Sequence, residues 1–165
     1  MIKINLYVGD FANNANGRIY KYALPSTTQS QVGGSYPWIM SLGLDSNDNV
    51  YAGHGSSTSQ EITKCTSSGT CDDDWSTGYT KVTGIDFDAE GNLFAVDSGG
   101  SKIYKVGSDG SKTEYDSYSC NDLAIVNGVM FAVKGSSSSN DVLQVYATDG
   151  GAGSCTACPS GFTNA

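Results

Sequence analysis

The chain has 165 residues, enough for one packed domain, and only 16 % of them are charged. A net charge of -8 and a pI near 4.3 exclude a nucleic-acid partner, whose phosphates need a basic face. No run of about 18 apolar residues occurs, so no helical membrane span is predicted, and 21 Gly, 10 Tyr and only 3 Pro suit an all-β fold rich in turns.

In chain order, the first predicted strand is NLYVGD, Asn5 to Asp10, followed by GRIYKYAL. The second group runs IMSLGLDS, NVYAGH (Asn49 to His54) and QEITKCT. The third runs VTGIDFD, NLFAVD (Asn92 to Asp97) and SKIYKVG, and the fourth NDLAIVN, VMFAVK (Val129 to Lys134) and DVLQVYA. Leu6, Val50, Leu93 and Met130 recur at spacings of 44, 43 and 37. Ile19, Ile62, Ile103 and Leu143 recur at 43, 41 and 40. Two independent landmarks with one period define an internal repeat.

The connections SNDN, AEGN and NG, then SSGT, SDGS and TDGG, supply the positive φ angles of hairpin turns. The best-formed unit, Lys81 to Ser117, reads as four antiparallel strands, the last being SKTEYDS. A four-stranded meander repeating near every forty residues predicts β-propeller blades, which bury their faces only by stacking on neighbours. The fold class is therefore all-β: a partial propeller of about three and a half blades, with a short cysteine-rich C-terminal tail. The repeats are set at about residues 1–31, 32–80, 81–119 and 120–150, and the tail at 151–165.

The stretch GIDFDAEGNLFAVDSGGSKIYKVGSDG resembles an NHL-type blade, as in the six-bladed propellers that include gluconolactonase-like enzymes. The likeness is best over Gly43 to Gly69 and Gly84 to Gly110, and extends in part over residues 2 to 150. It implies architecture rather than activity. By this alignment the first blade lacks its innermost strand and the last ends after VYATDGG, so a longer protein or another chain is expected to complete the ring.

Five cysteines are present. Cys65 and Cys71 bracket TSSGT, and a bridge across that hairpin is sterically reasonable. Cys120, Cys155 and Cys158 have no assigned partners, and the odd total leaves at least one thiol unpaired within the chain. The tail motif Cys-x-x-Cys-Pro-x-Gly-Phe resembles the opening of an ephrin-receptor-like extracellular module, whose further cysteines would follow. Pro159 stands where a c-type haem site needs His, and a zinc site lacks nearby ligands. MIKINLYVGD has no signal-peptide pattern, so the expectation is an excised piece of an extracellular or cell-surface protein.

Asp86, Asp88 and Glu90 before Gly91 match the start of a calcium loop, with Asp97 at the twelfth position. The favoured reading is a hairpin turn, because the equivalent GLDSNDNVYAGH keeps only Asp45; calcium stays as the alternative, and no other cofactor is expected. Asp10, His54, Asp97 and Lys134 end the second strand of each repeat and so fall on one rim. They either line a central ligand site or, for Asp10 and Asp97, cap the following turns. The resemblance implies a divalent metal held by a Glu, an Asn and an Asp from different blades, without assigning them here.

No Gly-x-Ser-x-Gly accompanies His54, the single histidine. The Ser/Thr clusters STTQSQ, SSTS, TSSGT and SSSS read as inter-strand loops. Ser56, Ser57, Thr58, Ser136, Ser137, Ser138 and Ser139 are O-glycan candidates in an extracellular setting. Tyr115 and Tyr118 read as exposed, at an interface or as cross-strand partners. Two functions follow: a non-catalytic extracellular scaffold, adhesion module or filament subunit whose partners are other protein chains, copies of itself or glycans; or a fragment of a metal-dependent lactonase-like or glycan-acting propeller enzyme.

Overall fold

Alternating apolar positions separated by Asp/Asn/Gly turns leave the chain little choice but short antiparallel strands. A computed structural model describes residues 4–12, 16–55, 61–134 and 142–148. It contains fourteen strands in four antiparallel sheets and, among the described residues, no helix.

The first sheet is β1 (Ile4–Gly9), β2 (Gly17–Leu24) and β3 (Thr28–Tyr36). The second is β4 (Ile39–Leu44), β5 (Val50–His54), β6 (Ile62–Cys65) and β7 (Cys71–Ser76). The third is β8 (Val82–Phe87), β9 (Leu93–Asp97), β10 (Lys102–Val106) and β11 (Lys112–Asp116). The fourth is β12 (Asp122–Val126), β13 (Val129–Lys134) and β14 (Val142–Ala147). Each sheet keeps its strands in chain order and is one blade of a partial β-propeller. Among the described residues the first blade starts at β1, the counterpart of β5, β9 and β13.

Two readings are corrected. The segment STTQSQ is not all loop: β3 starts at Thr28 and runs to Tyr36, past the boundary set near residue 31. Pairing with β2 satisfies the backbone of these polar residues, so side-chain polarity marks an exposed outer strand. Tyr115 and Tyr118 are half-buried rather than exposed, and both pack against the apolar cluster between the third and fourth blades. Tyr115 meets Phe94 edge-to-face at 5.2 Å and Tyr146 at 6.0 Å.

Each blade interface has its own core. Ile19, Val32 and Tyr36 of blade one meet Ile39, Val50, Ala52 and Cys65 of blade two. Tyr51 and Ile62 of blade two meet Val82, Ile85, Leu93 and Ala95 of blade three. Phe94, Val96 and Ile103 of blade three meet Leu123, Met130, Ala132 and Tyr146 of blade four. The first strands β4, β8 and β12 lie side by side at the centre. At Gly84 a Cβ would sit 2.7 Å from Asp122 Oδ1 and 3.1 Å from Leu123 N, so only glycine lets β8 and β12 approach this closely.

Candidate functional site

The rim candidates are the residues that close β5, β9 and β13, with Asp10 just past β1. Register places His54 opposite Ile39 and Asp97 opposite Val82, at matching ends of their blades. Asp97 is buried, and its carboxylate accepts N–H bonds from Thr80 (2.9 Å), Lys81 (2.7 Å) and Gly100 (3.1 Å). It therefore ties the turn after β9 to the segment entering β8, which leaves it little capacity for a ligand.

His54 is fully buried. Its Nδ1 lies 3.2 Å from the Pro37 carbonyl, which can only accept, so this nitrogen carries the proton. Its Nε2 is 3.0 Å from Thr63 Oγ1, which also reaches the Asp73 carbonyl at 3.1 Å. Burial lowers the His54 pKa, outweighing the Pro37 bond and the Asp73 charge, so the ring is neutral near pH 7. Tyr36 extends the network, donating to Asp73 Oδ1 at 3.0 Å and accepting from Gly34 N–H at 3.0 Å. Asp10 is exposed and Lys134 half-buried. One lysine, one enclosed histidine, one saturated carboxylate and a single exposed aspartate do not suit a divalent cation.

Asp86, Asp88 and Glu90 are not drawn to one point. Asp88 accepts from the backbone and side-chain nitrogens of Asn92, both at 2.7 Å. Asp86 accepts from Phe87 N–H at 2.8 Å and crosses to the fourth blade to take Ile125 N–H at 2.6 Å. Glu90 is exposed at the turn. Among the described residues no group of three or more His, Cys, Asp or Glu is placed to hold a metal ion.

One further carboxylate, Asp45, was visible in the sequence, and two others, Asp48 and Asp122, escaped the reading. Asp45 repeats the Asp88 turn, taking Asn49 N–H at 3.0 Å and Asn49 Nδ2 at 2.7 Å, so Asp-x-x-x-Asn is the legible signal. Burial pushes Asp45 up, but these bonds and that from Asn47 hold it below the usual carboxylate range. Asp48 clamps blade one, accepting from Asn5 Nδ2 (2.8 Å), Tyr7 OH (2.9 Å) and Lys21 Nζ (3.3 Å). Asp122 sits at the start of β12 with its pKa raised by burial and then by the Asp86 charge. No local signal marks Asp48, whose partners lie on blade one, or the Asp86 charge that blade three sets beside Asp122.

Cys65 and Cys71 face each other across β6 and β7 and form a disulfide, S–S 2.11 Å. Cys120 is a buried free thiol, its pKa pushed up to about 12 by burial and by Asp122 and Asp116. Cys155, Cys158, Ser56, Ser57, Thr58 and Ser136 to Ser139 lie outside the described residues.

No protein-family model matches the sequence, and no curated protein sequence matches it. Solved structures do. A gluconolactonase from Xanthomonas campestris matches with a TM-score of 0.62 and 15% identity, over 74% of this chain and 43% of that one. Regucalcin from Agrobacterium tumefaciens, a calcium-binding protein, matches with 0.62 and 15%, over 78% and 49%. PorZ, a surface component of the type-IX secretion system of Porphyromonas gingivalis, matches with 0.68 and 13%, over 90% and 24%. The chain spans about half the length of the gluconolactonase and regucalcin structures. At such identities the likeness is one of fold, and it fixes the architecture as a partial β-propeller.

Proposed function

We propose that these four blades form one arc of a lactonase-like propeller enzyme of NHL-type blade pattern, acting on small cyclic esters at the mouth of the central channel. The observation that carries this reading is the overlay of consecutive blades on about half of a gluconolactonase and about half of regucalcin. The divalent cation of this chemistry, calcium in the regucalcin case, would take its ligands from outside the described residues, since the rim positions do not fit it. The role of this arc is then to wall the channel.

A second reading has its own support. Asp97 and His54 are engaged within the fold, which suits a non-catalytic extracellular scaffold. The Cys65–Cys71 disulfide suits an oxidising, extracellular setting, to which the ephrin-receptor-like tail and O-glycans on the serine clusters also belong.

The deciding experiment assays the full protein containing these blades against gluconolactone with calcium. Hydrolysis above the buffer rate that EDTA abolishes and calcium restores supports the enzyme. A closed ring that hydrolyses no faster than buffer supports the scaffold.

A further inference from the structure

The blade interfaces follow one positional rule. On the second strand of each blade, Tyr7, Tyr51 and Phe94 occupy equivalent places, and each packs toward the blade that follows. So do Ile19, Ile62 and Ile103 on the third strand, all fully buried. In blade four the equivalent residues are Phe131 and Leu143, and they are 37% and 48% exposed. Val133, equivalent to the fully buried Val96, is 44% exposed. One forward face is thus built and left open.

The opposite face obeys the same rule. Val50, Leu93 and Met130 are equivalent and pack toward the blade before them, as do Ala52, Ala95 and Ala132. Their counterparts in blade one are Leu6 and Val8, 51% and 41% exposed. Ile4, Leu6 and Val8 alternate along β1 and so share one side of the sheet. This open backward face is the half that every forward face in the molecule meets.

We propose that a second copy of this chain stacks head to tail, its blade-one face (Leu6, Val8) on the blade-four face (Phe131, Val133, Leu143) of the first. The argument is continuity with the interfaces already inside the chain: the positions of Phe131, Leu143, Leu6 and Val8 carry apolar residues packed into all three internal interfaces, while that of Val133 carries Val96 in the third and close-packed Gly9 and Gly53 in the first two. The two faces differ, so the contact is heterologous; it closes a ring if the rotation allows and otherwise extends as a filament. This association rests on the fold alone and does not depend on the enzyme reading, whose test is turnover rather than mass.

Sedimentation velocity of the chain over a range of concentrations tests it, using Leu6→Asp, Val133→Asp and their mixture. The wild type is expected to associate, as a discrete ring or an open series. Each variant alone is expected to be monomeric. An equimolar mixture is expected to form a one-to-one dimer that grows no further, because each variant supplies the face the other lacks. Val8→Asp and Leu143→Asp repeat the experiment if a first variant fails to fold as judged by its thermal melt. A wild type that stays monomeric, whether its faces are covered by the tail or by blades elsewhere in a longer chain, overturns the proposal. So does a dimer that Val133→Asp abolishes and Leu6→Asp leaves intact, since that contact would join like faces.

Discussion

Asp97 shows how one side chain can hold two elements in register. Its carboxylate collects backbone N–H groups from Thr80, Lys81 and Gly100, none of which belongs to a strand. Asp97→Ala leaves these donors buried or poorly solvated and is expected to cost about 2–4 kcal/mol in urea denaturation. Asp97→Asn, which keeps one oxygen, is expected to cost less. His54 makes the acid response of the fold. Its folded pKa is depressed by burial, so below the unfolded value of about 6.5 the unfolded chain takes up a proton that the folded chain resists. Stability is therefore full above that pH and falls as pH drops through the window beneath it. His54→Asn is expected to flatten the slope between about pH 6.5 and 5, read from denaturation midpoints. A further loss begins only below about pH 4, where Asp45 and Asp48, held low in the fold, protonate more readily in the unfolded chain.

At the scale of the element, the hairpins carry most of the local information. The β6–β7 hairpin is closed by Cys65–Cys71, whose Cα atoms are 4.0 Å apart. Because the bridge spans so short a loop, its removal in Cys65→Ser/Cys71→Ser is expected to cost about 2 kcal/mol, seen as a lower thermal midpoint. The β10–β11 turn needs Gly110 twice over. Its φ is +82°, and a Cβ there would run into the Trp75 carbonyl of the neighbouring blade. Gly110→Ala is therefore expected to cost more than the ~1–2 kcal/mol of the left-handed conformation alone. The turn reading of the Asp86–Gly91 stretch was available from sequence because Asp88 and Asn92 recur as Asp45 and Asn49. The second role of Asp86, taking Ile125 N–H from the next blade, was not, since the two lie 39 residues apart.

Across the whole molecule, the apolar cores of the described residues lie between successive blades, as in other repeat folds. Stability then resides in the interfaces, and the end blades, supported on one side, open first. Phe94 lies at the heart of the interface between blades three and four, fully buried and edge-on to Tyr115. Phe94→Ala is expected to cost about 3–5 kcal/mol. Limited proteolysis should then release the fourth blade before the others; cleavage that remains uniform along the chain would contradict nearest-neighbour stacking.

The period near forty, the strand pattern and the turn residues are all local quantities, readable in one dimension, and by themselves they determined the sheets, the hairpin disulfide and the propeller class. The sequence did not distinguish an outer strand from a polar loop at Thr28–Gln31, because pairing with β2 rather than composition makes it a strand. Nor did it place Tyr115 and Tyr118 against the core between blades three and four. Only the tertiary structure decided which rim groups are consumed by the fold, which carboxylates bridge blades, and which apolar faces stay open, because each of these depends on what a neighbouring blade presents across the interface.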